Sequence, residues 1–120
     1  MKEFTFENIK DALKGLSIFA EESSKFIGEH GFKLLAERVL WNLSFFHKEV
    51  KYIGVDYSGL SLQEFLELEI NEEKKLRILN DFFLEATVVL RVIVGDRIAD
   101  KVLKKVKKGI TGGKYGDKKD

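Results

Sequence analysis

Apolar residues recur every three or four positions along almost the whole chain, and no proline interrupts them. That spacing is the period of a helix with one face turned toward a core. Without proline, no position loses the amide that a helix interior needs. The chain is therefore read as a series of amphipathic helices separated by glycines.

Phe6, Ile9, Leu13, Leu16 and Ala20, continued by Phe26 and Ile27, predict a first helix starting near Thr5. Gly28 and Gly31 mark its end, because glycine enters the left-handed conformation that closes helices. Phe32, Leu35, Val39, Leu43, Phe46, Val50 and Ile53 predict a second helix over 32–53, with Leu34, Trp41 and Phe45 widening its apolar face. Residues 54–59 read as a loop. Ser61-Leu62-Gln63-Glu64 fits a capping box, and Leu60 with Phe65 fits a hydrophobic staple, which together predict a short third helix over 62–70. Asn71 followed by Glu72 and Glu73 looks like the start of a fourth helix. Leu76, Leu79, Phe83, Ala86, Leu90 and Ile93 continue it. The β-branched stretch 86–94 suits a strand, but no second strand is evident to pair with it, and the helical spacing runs through it. Gly95 either breaks or only kinks this helix, and the last segment beyond it carries Ile98, Val102 and Val106 on one side.

A chain of 120 residues is the size of one domain and can bury roughly two thirds of the surface its unfolded form exposes. The expected fold is all-α: a compact bundle of four or five helices over residues 1–108, followed by a flexible Gly/Lys-rich basic tail over 109–120. The abundance of Lys and Glu beside one Gln and one Met leans toward thermophile composition. The first residues lack the continuous apolar run of a signal peptide, and no stretch is long enough to span a bilayer. The expectation is a cytoplasmic protein without a membrane role.

Chemistry is harder to find. The chain has no cysteine, which removes disulfides, thiolate catalysis and cysteine zinc sites. His30 and His47 are the two histidines. Neither has an acid three or four residues away, so local spacing supplies no acid–base pair or metal motif. Glu64 and Glu67 share a helix face but read as solvated. Ser23 and Ser24 have no strand–turn–helix elbow around them. Residues 109–115 superficially resemble a phosphate loop, but their glycine spacing is wrong and Tyr115 follows Lys114 where a hydroxyl residue belongs. The expectation is a protein with no catalytic residues, no metal and no cofactor.

Two surfaces remain. Arg97, Lys101, Lys104, Lys105 and Lys108 recur along the last helix, and residues 97–120 carry a net +6 against −5 for residues 1–96. Such a stripe attracts phosphates, which makes nucleic acid a possible partner. The second surface is apolar: Trp41, Phe45, Phe82, Val89 and Val92 lie beside the main stripes, in excess of what a small bundle can bury. Large exposed apolar patches mark interfaces. The leading expectation is a non-enzymatic interaction module, a homodimer or a small subunit of a larger complex. The alternative is a nucleic-acid-binding accessory protein using the basic C-terminal segment.

Overall fold

The computed structural model describes residues 4–111, and its order of elements follows from where backbone groups find partners. Helix α1, Ile9–Leu43, starts at Asn8, whose side-chain oxygen accepts from the Asp11 amide at 2.8 Å. Gly28 interrupts it with φ 80° and ψ 164°. Gly95 has φ 88°, and at both places a side chain would be strained. The turn expected at Gly28 is therefore present, and of the break or kink open at Gly95 it is the break that forms.

The second expected helix is shorter than its apolar spacing suggested. It ends at Leu43, not at Ile53. Ser44 Oγ donates to the Trp41 carbonyl at 2.6 Å, and the Phe46 and His47 amides both turn back to the Leu43 carbonyl. A serine offering its own bonds to the last turn competes with helix continuation. A 3₁₀ turn, Lys48–Tyr52, then returns Val50 and Ile53 to the core.

The expected loop at 54–59 is part of a hairpin. Strand β1, Gly54–Asp56, pairs antiparallel with β2, Gly59–Ser61. Asp56 accepts from the Ser58 amide and hydroxyl, which closes the turn locally. The capping box is not formed, because Ser61 pairs with Gly54 in the strand. Leu62 precedes helix α2, Gln63–Leu66, with no side-chain cap. Helix α2 stops early, and Lys75 Nζ donates to the Leu66 carbonyl at 2.6 Å.

Helix α3, Glu72–Val94, has the expected cap: Asn71 accepts from the Lys74 amide at 2.7 Å. The β-branched stretch 86–94 is helical. Helix α4, Asp96–Thr111, continues past the expected domain end at 108. The rest of the expected tail lies outside the described residues.

The fold is mostly all-α, with α1 packed on both α3 and α4, α3 on α4, and the hairpin on α1. Among the described residues, no helix is long and apolar enough to cross a membrane. Phe83 stands at the centre of an aromatic cluster, its ring centroid 4.7 Å from Phe6, 5.4 Å from Phe4 and 5.5 Å from Phe19. Asn80 on α3 holds the N-terminal segment there. Its Oδ1 accepts from the Phe6 amide at 2.7 Å and its Nδ2 donates to the Phe6 carbonyl at 3.0 Å. Asn80→Ala removes both bonds from a half-buried backbone group, and is expected to cost about 1–3 kcal/mol in urea unfolding. A loss below about 0.5 kcal/mol would show that the Phe6 segment is held by its ring alone.

Candidate functional site

Polar groups from distant parts of the chain meet along α3. His47 Nε2 lies 2.8 Å from Asp81 Oδ2. Its acid comes from a helix 34 residues away, so local spacing could not reveal the pair. Lys74 binds Glu49 at 2.9 Å, and Arg91 reaches Asp100 at 2.8 Å and Asp96 at 3.3 Å. The Arg91 contacts join the last turn of α3 to the first turns of α4 across Gly95.

These pairs set an acid limit on stability. The Lys74 hydrogen bond holds the Glu49 carboxyl below its ordinary value, against burial, which pushes the other way. Arg91 does the same for Asp100. A carboxyl whose folded value is depressed stabilises the fold above its unfolded value, and that contribution is lost as pH falls through the folded value. Melting temperature is expected to hold steady above about pH 5 and to drop below about pH 4. Glu49→Gln should remove part of that drop in melts at pH 7, 4 and 3. An unchanged acid dependence in the variant would mean that other carboxyls carry it.

Among the described residues, no hydrogen bond joins a serine hydroxyl to a histidine or lysine. Ser23 is buried and Ser24 lines a cleft of about 420 Å³ with Ser17, Glu21, Lys25 and Tyr57. Among the described residues, neither hydroxyl has a hydrogen bond to a basic side chain, and no group of three or more acids and histidines could hold a metal ion. His30 stacks on Tyr57 at 6.1 Å.

The apolar surface is better defined. Asn42 with Glu85 (3.1 Å) and His47 with Asp81 lay the end of α1 and the turn that follows it antiparallel along α3. Phe32, Leu35, Ala36, Val39 and Leu43 face the core, so Leu34 and Trp41 point away from it. On α3, the buried Leu79, Phe82, Phe83, Ala86 and Leu90 leave Val88 and Val92 on the outer side. The Asn42–Glu85 contact lies between these two outer lines. Trp41 is 61% exposed, Phe45 68%, Val92 82% and Phe46 81%; Leu34 and Val88 are also exposed. The Trp41 and Phe45 rings meet edge to face at 5.0 Å. Arg38 is exposed on α1 between Leu34 and Trp41.

Three of the five residues expected at an interface, Trp41, Phe45 and Val92, are thus on the surface, with Trp41 and Phe45 in contact. Val89 is half-buried between the helices, packed on the core. Phe82 is 1% exposed and belongs to the core. Its position beside the main stripe of α3 is covered because both α1 and α4 pack on that helix. Leu34, read on the same apolar line as Trp41 and Phe45, is exposed too, whereas Phe46 and Val88 were missed. Phe46 looked like a core residue because the second helix was expected to run through it, and Ser44 was the only local hint that it would not.

The basic stripe is on the surface as expected. Arg97, Lys101, Lys104, Lys105 and Lys108 are all exposed, while Ala99, Val102, Leu103 and Val106 are buried. Among the described residues, none of these five cations pairs with a carboxylate.

No protein-family model matches the chain, and neither a curated protein nor a solved structure matches it.

Proposed function

We propose that this protein is a non-catalytic interaction module that self-associates through the face formed by Leu34, Trp41, Phe45, Val88 and Val92. The supporting observation is the exposure of Trp41 in ring contact with the equally exposed Phe45. Tryptophan is over-represented among residues that dominate binding energy, and leaving so much apolar surface in water is unfavourable.

The partner in this reading is a second copy. The aromatic residues Trp41 and Phe45 lie at the end of the face near Asp81, and Leu34 and Val92 lie toward the other end. A two-fold axis through the middle places the aromatic end of one copy against the aliphatic end of the other. Such an isologous contact closes on itself and stops at a dimer. Arg38 lies within the face, where a carboxylate such as Asp81 or Glu85 of the second copy would meet it.

Light scattering coupled to size-exclusion chromatography tests this directly. A mass twice the chain's 13.8 kDa supports the dimer. A mass of one chain across the accessible concentration range rejects self-association.

A further inference from the structure

A second surface carries a different ligand chemistry, and it stands whether or not the chain dimerises. Helices α1 and α4 border a groove of about 460 Å³, lined by Glu22 and Phe26 from α1 and by Lys101, Val102, Lys104, Lys105 and Lys108 from α4. Phe26 is 46% exposed. The first-helix spacing placed it in the core, but α1 breaks two residues later at Gly28, and the ring stays on the surface. Glu22 is engaged by Lys25 at 3.0 Å. The four lysines that line the groove have no carboxylate partner among the described residues. The groove therefore has an aromatic and aliphatic floor and an uncompensated cationic rim, spread over about 10 Å of helix.

We propose that this groove binds single-stranded nucleic acid. The lysines neutralise successive phosphates, and the Phe26 ring serves as a stacking platform for an unpaired base. That combination of a positive groove with an exposed aromatic is how sequence-tolerant single-strand binders hold their ligand. The lysines alone would suit any polyanion. Phe26 narrows the choice, because a base must leave its helix to stack on a side chain.

The test is fluorescence anisotropy with a labelled oligothymidylate and, separately, a labelled duplex of the same length. The expected result is preferential binding of the single strand. Its affinity should fall with salt at a log–log slope of about −2, as for two or three neutralised single-strand phosphates. Lys101→Gln with Lys105→Gln should flatten that slope by about 1.4. Phe26→Ala should weaken binding roughly tenfold to a hundredfold while leaving the slope unchanged. All of these side chains are exposed, so circular dichroism should show each variant folded. Equal affinity for the duplex, unchanged binding by Phe26→Ala, or equal competition by polyglutamate would each overturn the proposal, as would no binding at low salt. Capture by phosphatidylserine vesicles with no oligonucleotide affinity would overturn it in favour of a membrane surface.

Discussion

Phe83→Ala is expected to lower the unfolding free energy by about 3–5 kcal/mol, the usual cost of truncating a fully buried phenylalanine. Phe83 touches the rings of Phe4, Phe6 and Phe19, and Phe19 in turn meets Phe32 at 6.2 Å. The substitution therefore opens a cavity where the N-terminal segment and both halves of α1 converge on α3. Neighbouring rings are too rigid to collapse into it fully, so lost contacts add to lost burial. Small domains have only about 5–15 kcal/mol in total, and a loss of this size should move the melting temperature by more than about 10 °C. Phe46→Ala is the control. Phe46 is exposed after the end of α1, and its truncation should change stability by less than about 0.5 kcal/mol. Equal effects at the two positions would mean that the aromatic cluster does not organise the core.

Trp41→Asp is expected to weaken self-association by a factor of about 30 or more, the effect of losing a dominant interface residue worth at least about 2 kcal/mol. The aspartate brings a charge into a face that becomes dry on assembly, where it is costly unless paired. The monomer should tolerate it, because Trp41 points away from the side of α1 that carries Val39 and Leu43. Val92→Glu should act similarly from the other helix. Phe82→Asp separates the two roles: it puts a charge in the core and should unfold the chain. Ordinary monomer stability with lost assembly for Trp41→Asp and Val92→Glu supports the face. Assembly unchanged in both variants would move the interface elsewhere.

Much of the helical plan was legible because capping and glycine chemistry are local. Asn71 caps α3 as its sequence implies, and Gly28 and Gly95 break the chain where glycines were expected to. The errors arose where short-range hydrogen bonds competed. Ser61 carries the pattern of a capping box, yet its backbone pairs with Gly54 in a hairpin whose turn is closed by Asp56. Ser44 ends α1 within an unbroken apolar pattern, and so Phe46 was misjudged. Burial beside the main stripes could not be read at all. Phe82 and Val92 both lie on α3, but one is covered and the other is open. The difference comes from α1 and α4, the helices packed on that side of α3. The same holds for His47 with Asp81 and for Phe26 with the α4 lysines, which are joined only by tertiary packing.

Trp41 is the only tryptophan, so its fluorescence reports the proposed interface without labelling. The direct test is the emission spectrum of the wild-type chain across a dilution series, with Val92→Glu alongside. Burial against a second copy predicts emission at shorter wavelength in concentrated solution, shifting to longer wavelength on dilution, and long-wavelength emission throughout for Val92→Glu. A water-exposed spectrum that does not change with concentration would contradict the account.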